Sequence, residues 1–566
     1  MIISSVFLIY ALFITFSSGA LFLIMFEKLL KQDLFEFHSG IVVLFGCAIL
    51  SVFLQLLHYF FPINLQSHLF VLIMISSGVY FHPVQFKKYI LLLKTDFWGD
   101  RLQSIFSFCL FIAALINIAG RAGTGDIGDY HLQAIQWAEM YKVIPGLGNL
   151  SRQLANNSGW FLIHAFTGCS FLGYKSVYVL NALLLIVAGN YFLPRNGDKY
   201  FIVKGTILFY LTLMAFRKYV GSVTNDYAIT VFTLMFCMEW IQSNENLKQN
   251  KILPLLLLVL ILPTLKLSSV ITLMIIPFFF IYQIRNHLPW RKAAWILTVS
   301  GLLIFLPWIA TNRLLSGYLC YPVSTPDLFK TDWKMNSSVL EYELLINKAN
   351  ERVPAVEPTE VIKMPFRQWF PLWLHHLDIF SKFLLSLCIL LSVSIMMLMI
   401  VQTGLRKDIF LRLTNECSNY LIITFAIAIL FWFINAPATR FIFGYLVFFI
   451  AWSADLLLIY FLKPNWIAGK AAFIRYLFYS TLFGNLIYGS YFFTKQYLAG
   501  DKLASSILVP LPYGINSYDP IKMNNVTLFV PKDSGQCWDC PIPCISKPDS
   551  TLEMRGNSLE DGFRRN

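Results

Sequence analysis

Charge is what this sequence has least of. Asp, Glu, Lys and Arg make up 13% of its 566 residues, where a soluble globular chain carries roughly 25%. That is too little to cover a water-facing surface, which excludes a soluble domain. Alternating polar and apolar strands are missing, which excludes a β-barrel. No stretch reads as a cytosolic nucleotide-binding domain. No internal repeat of solenoid or transporter period is visible either, which disfavours inverted-repeat transport. The first apolar run, Ile2 to Phe26, lacks a basic leader and is too long for a signal-peptide core. It reads as a true span with its N-terminus outside.

What is present is apolar: 57% hydrophobic and 16% aromatic residues, with a mean hydropathy of +0.63. Continuous Leu, Ile, Phe and Val runs recur, each long enough to cross about 30 Å of hydrocarbon as a helix. Spans are expected at 2–26, 39–61, 68–82, 103–120, 175–193, 200–216, 225–242, 252–264, 267–284, 293–311, 379–402, 418–435, 440–462 and 475–494, about fourteen in all. The pair flanking Pro263 to Lys266 has one re-entrant hairpin that does not cross twice as its alternative. The fold class is an all-α polytopic membrane protein with external amphipathic helices and a small C-terminal extracytoplasmic mixed or β domain.

The formal charge of +13 does not form a patch for nucleic acid. Lys87, Lys88, Lys94 and Arg101; Arg195, Lys199 and Lys204; Arg285, Arg291 and Lys292; Arg406, Lys407 and Arg412; and Lys463, Lys470 and Arg475 sit in short links. That is the positive-inside pattern of cytoplasmic loops. Both termini then lie outside, and the chain divides into N-terminal helices (1–120), a first large external loop (121–160), a transmembrane core (161–311), a long external loop (312–378), C-terminal helices (379–494) and an external domain (495–566). In that last region Ile507-Leu-Val-Pro and Val526-Thr-Leu-Phe-Val read as short strands.

Polar chemistry concentrates outside. Gly125 to Trp137 places Asp126, Asp129, Tyr130 and His131 within two helical turns of the membrane surface. Asp126 and Tyr130, four apart, share a helix face, and a carboxylate beside low-dielectric material suits acid–base work. The plainer role for Asp126 is a helix N-cap. Arg152 follows on an amphipathic stretch whose Leu147, Leu150 and Leu154 are expected to face lipid; it suits a phosphate or a lipid headgroup. Asp226, Lys266 and Arg440 stand at span ends, where ionisable groups are functional candidates.

The motifs DxxxYHLQ from Asp126, PGLGNL, TNDYA (Thr224 to Ala228), LKLSS (Leu265 to Ser269), SGYLCYP (Ser316 to Pro322), TDW (Thr331 to Trp333), ATRFIFG (Ala438 to Gly444) and the closing CWDCPIPC resemble an uncharacterised bacterial family of polytopic membrane proteins. More broadly, an acidic residue just after a span, then YH, then an amphipathic external loop, resembles the C-type glycosyltransferases. That resemblance implies a sugar moved from a polyprenyl-phosphate donor to an envelope glycan or lipid at a bacterial inner (plasma) membrane. Asp126 or Asp129 would be the catalytic base. Asp226 matches the second external carboxylate, and Arg440 would hold the lipid phosphate with Lys266 as its partner. Tyr130, His131 and Arg152 complete the substrate-binding candidates. A divalent cation, Mg or Mn, through Asp126, Asp129 and His131 stays open. The rival readings are a polysaccharide polymerase or ligase, a lipid-linked glycan transporter or flippase, and a non-catalytic scaffold docking through its external tail.

Four cysteines fall in external segments. In an oxidising compartment Cys537–Cys544 and Cys320–Cys540 are the expected disulfides, other pairings being allowed. A zinc site is the rival, and no nearby His completes a usual ligand set.

Overall fold

The computed structural model describes residues 1–31, 37–120, 125–174, 177–195, 200–215, 219–245, 249–400, 416–461, 476, 479–480, 483–488, 491, 508–510, 513–514, 517–532 and 535–565. Lys199, Arg217, Lys218, Arg406, Lys407, Arg412, Lys463, Lys470 and Arg475 lie outside the described residues, as does half of the expected span at 475–494.

The chain is mostly helical. The helices run α1 Ile2–Leu30, α2 Ser39–Leu57, α3 Leu65–Phe81, α4 Pro83–Trp98, α5 Arg101–Gly120, α6 Leu132–Met140, α7 Leu147–Leu150, α8 Gly159–Gly168, α9 Leu180–Tyr191, α10 Phe201–Met214, α11 Asn225–Glu245, α12 Gln249–Leu265, α13 Ile275–Arg285, α14 Trp290–Ser316, α15 Ser337–Arg352, α16 Pro358–Lys363, α17 Phe366–His376, α18 Ile379–Ile400, α19 Glu416–Asn435 and α20 Phe443–Phe461.

Among the described residues, six helices are long and apolar enough to cross a membrane. They are α1, α2, α5, α14, α18 and the continuous Leu267–Arg285 segment that contains α13. A seventh arises if α3 and α4, bent by 107° at His82, count as one broken span. The basic segment read as a link after 82 is therefore itself helical. Other expected spans hold shorter apolar helices, such as α9 with 12 residues and α10 with 14.

Burial is distributed as lipid solvent dictates. α14 and α18 turn Leu302, Leu303, Leu306, Ile389 and Leu390 outward, whereas α9 is buried on every side. A helix apolar all round sits in a large core or in a membrane. α1 and α2 approach so closely that a Cβ on Gly19 would strike the Val42 carbonyl, and one on Gly46 the Thr15 carbonyl. Small residues at such crossings let backbones touch where no hydrophobic effect drives association.

Two polar neighbourhoods occupy opposite ends of this bundle. α9 carries Asn181 in its first turn, and the Asn181 amide donates to the carbonyls of Ser222 and Thr224 just before α11. α9 ends at Tyr191, whose hydroxyl donates to Glu239 near the far end of α11 at 2.9 Å. At that far end Asp96 accepts from the Ser39 amide at 2.7 Å and lies 3.7 Å from His38 and 3.8 Å from Arg195.

The C-terminal region forms two antiparallel pairs, β1 (Tyr518–Met523) with β2 (Val526–Pro531) and β3 (Leu552–Met554) with β4 (Phe563–Arg565). The Val526 strand is as expected. Of the expected strand from Ile507, Ile507 itself lies outside the described residues and 508–510 carry no strand; Pro510 has no N–H to give a ladder. Cys537–Cys544 is a disulfide. Cys320 and Cys540 are free thiols, correcting the second expected bridge. Cys540 packs with Cys537, Cys544 and Phe529, while Cys320 sits in a bridge with Val323 in the long loop.

A second correction concerns Leu147, Leu150 and Leu154. They do not face lipid; they pack against Val526, Leu528, Ile545, Leu552 and Phe563 of the C-terminal domain. An apolar helix stripe must be covered, and here protein covers it.

Candidate active site at one end of the helix bundle

Asp126 stands directly before a π-helical turn, Ile127–His131, in which the Leu132 amide reaches back to the Ile127 carbonyl. Such turns break the regular ladder and often mark functional sites. Asp126 makes no side-chain cap hydrogen bond. Its carboxylate instead accepts from Arg440 at 3.2 Å, and the other terminal nitrogen of Arg440 donates to Glu351 at 2.8 Å. Arg440 lies on a short 3-10 turn, Thr439–Phe441, between α19 and α20. Glu351 lies in the last turn of α15. Three segments remote in sequence thus meet on one guanidinium.

A second pair lies beside it. Asp226, in the first turn of α11, bonds the ammonium of Lys266. Lys266 is extended (φ −155°, ψ 122°) and breaks the chain between α12 and the 3-10 helix Leu267–Met274. A break near the membrane needs its freed carbonyl satisfied. Here Ser158 donates to Leu265 O at 2.6 Å and Asn225 at 2.9 Å. Lys266 and Arg440 both lie over the Phe441 ring, 4.4 Å and 5.1 Å from its centre.

The electrostatics follow from this crowding. Burial pushes the Glu351 carboxyl above the ordinary carboxylate range, although Arg440 pulls the other way. Burial drives His131 down to about 4, so it is neutral at pH 7. Its ring is covered by Tyr130 and Phe161; it packs behind the site and offers a substrate no charge. Burial also raises Asp129, against a hydrogen bond from Gln536.

A cavity of about 610 Å³ opens beside Arg440, lined among others by Glu351, Arg352, Tyr219, Trp373 and Asp378. Ligand sites commonly span roughly 300–1,000 Å³. Asp378 is occupied as the cap of α18, accepting from the amides of Phe380 and Ser381. Arg352 lies 4.5 Å over Trp369 and donates to Ile434 O.

The structure therefore brings Asp126, Asp226, Lys266 and Arg440 together, with Tyr130 and His131 against them. Asp129 points elsewhere, bonding Gln536 at 3.0 Å. Arg152 is engaged by Glu343 at 2.5 Å rather than left for a phosphate. Asp126, Asp129 and His131 do not converge, and among the described residues no three His, Cys, Asp or Glu form a metal-holding group. Glu351 and Arg352 escaped the sequence reading, because SSVLEYELLINKANER looks like any charged surface helix.

No curated protein and no solved structure matches the chain. Residues 1–447 match the family described as a domain of unknown function, DUF8201. That stretch carries Asp126, Asp226, Lys266, Glu351 and Arg440 and stops short of the four strands. The chain belongs to this DUF8201 family.

Proposed function

We propose that the protein is a membrane-embedded glycosyltransferase that moves a sugar from a polyprenyl-phosphate donor to an envelope glycan or lipid acceptor. The finer topology belongs to the same reading: about fourteen spans in a bacterial inner membrane, with both termini and the Asp126 end outside. The resemblance to C-type glycosyltransferases supports it. The observation that carries it is Arg440 shared between Asp126 and Glu351, beside the Asp226–Lys266 pair, with Arg440 and Glu351 lining the cavity.

Such a transfer needs one base and a cationic seat for the leaving phosphate. The acceptor hydroxyl gives its proton to Asp126 as its oxygen bonds the anomeric carbon. The bond from that carbon to the phosphate oxygen breaks, and the phosphate leaves with both electrons. Arg440, whose planar fork suits phosphate, meets that charge, with Lys266 beside it. Donor phosphate would compete for Arg440 and release Asp126 from its ion pair, so the base becomes available only when the donor is seated. Asp129 is assigned to anchoring its turn.

Mass spectrometry of lipid-linked sugars tests this in cells carrying single substitutions. Asp126→Asn should lower product about 100-fold or more, the scale of a lost general base, and Asp129→Asn should leave most of it. Unchanged product with Asp126→Asn would refute the base. Dependence on Arg440 with Asp126 dispensable would point to a polymerase or ligase instead.

A further inference from the structure

We infer that Trp538, on the loop closed by the Cys537–Cys544 disulfide, is a positioning residue that holds the two acid-bearing turns of the site in register. The anatomy of the loop is specific. The Trp538 amide donates to the Gly128 carbonyl at 3.0 Å, inside the π turn that follows Asp126. A Cβ on Gly128 would run into the Trp538 indole, so the ring lies flush on that turn's backbone. Gln536 adds bonds to the Gly125 carbonyl at 3.1 Å and Asp129 at 3.0 Å. From the opposite direction, Gln133 donates to the carbonyls of Trp538 at 3.1 Å and Cys540 at 3.0 Å.

The same loop reaches the second acid. Asp539 accepts from the Tyr513 amide at 2.6 Å, and the Tyr513 hydroxyl bonds the Gly221 carbonyl. Gly221 belongs to the turn that leads into Asp226, whose carbonyls at Ser222 and Thr224 are held by Asn181. Gly514 at φ +54° presses on the other side of the indole, where a Cβ would come within 2.8 Å of it. Trp538 is thus clasped between the Asp126 turn and a segment tied to the Asp226 turn. The residues that supply the clasp lie beyond the 1–447 family match, so this site is completed by a part of the chain outside that domain.

The physics favours a positional role. A π turn is an irregular element with few of its own constraints, and a side chain 1 Å out of place can cost a reaction about 100-fold. A disulfide-closed loop with a large ring in close contact supplies the missing rigidity.

Amide hydrogen exchange on the full chain in lipid nanodiscs reads this without any substrate. Reduction, or Trp538→Ala with the disulfide intact, should raise exchange in both 125–133 and 219–226 about tenfold, as local opening does, while α2 stays unchanged. Trp538→Phe should restore most of the protection, because a ring still fills the clasp. Faster exchange confined to 535–565, with both acid turns as in the wild type, would overturn the inference. The inference rests on the proposed site, yet its failure is separable. The expected exchange pattern in a protein whose product is indifferent to Asp126→Asn would retire the transferase reading alone.

Discussion

Asn181 and Tyr191 sit at the two ends of one helix and belong to different kinds of polar neighbourhood. Around Tyr191 the carboxylates are matched and closed in: Glu239 takes the tyrosine hydroxyl, and Asp96 takes the Ser39 amide, with His38 and the more exposed Arg195 at its edge. At the end where α11 starts, Arg440 and Glu351 line a cavity of about 610 Å³, with Asp126 paired to Arg440 and Asp226 buried against Lys266 beside them. Arg440 and Asp126 keep 35% and 39% of their side-chain surface accessible, against 9% for Asp96. A buried and satisfied cluster pins helices together. An accessible cluster whose ion pairs can be exchanged for a ligand's charges is built to bind.

The largest effect that would sharpen this contrast is at Arg440. Arg440→Lys keeps the charge but cannot fork to two acceptors. Product formation should fall about 100-fold, comparable to losing one preorganised donor, with little change in thermal midpoint. Equal loss of fold and product would erase the distinction between the ends. At the far end, Asp96→Ala should do the reverse. It strands the Ser39 amide and leaves Arg195 and His38 without their carboxylate, costing roughly 2–3 kcal/mol of stability, while product per folded molecule stays near wild type. Thermal unfolding in nanodiscs alongside lipid-linked sugar analysis checks both halves.

Much of this was legible in the sequence, and the gaps have physical reasons. Asp226, Lys266 and Arg440 stood out because ionisable groups at span ends are costly unless used. Their meeting with Asp126 was not visible, since contacts between segments 314 positions apart leave no local pattern. Glu351 was silent because a charged helix face is equally at home in water. Leu147, Leu150 and Leu154 do form an apolar face, but protein and not lipid lies on it: periodicity reports that a face is apolar, and says nothing of what covers it. Cys537–Cys544 was readable as a local loop. The Cys320–Cys540 pairing rested on parity alone, and the fold packs Cys540 against Cys537 and Cys544 while Cys320 stays in the long loop.

A smaller effect concerns packing on the site's turn. Gly128→Ala should push Trp538 off the π turn and cost about 1–3 kcal/mol through overpacking. It should lower the unfolding midpoint of the external layer while leaving the Asp96 end untouched, as hydrogen exchange at α2 would report.

A last effect is a pH dependence. Burial holds the Glu139 carboxyl up at about 8, with Tyr178 donating to it at 3.4 Å. The folded chain therefore binds this proton more tightly than the unfolded one, whose carboxyl ionises near 4.5. Stability falls as pH rises between those values, and the loss is complete above about 8. Glu139→Gln should flatten that slope in thermal midpoints measured from pH 5 to 9; an unchanged slope would assign the dependence elsewhere.

Sidedness is the hinge of the account, and thiol labelling with a membrane-impermeant reagent reads it directly in a background stripped of accessible native thiols. Gly125→Cys, exposed beside Asp126, should label in intact spheroplasts, and Trp98→Cys, exposed beyond Asp96 at the other end, only after permeabilisation. Labelling of Trp98→Cys from outside with Gly125→Cys protected would contradict it.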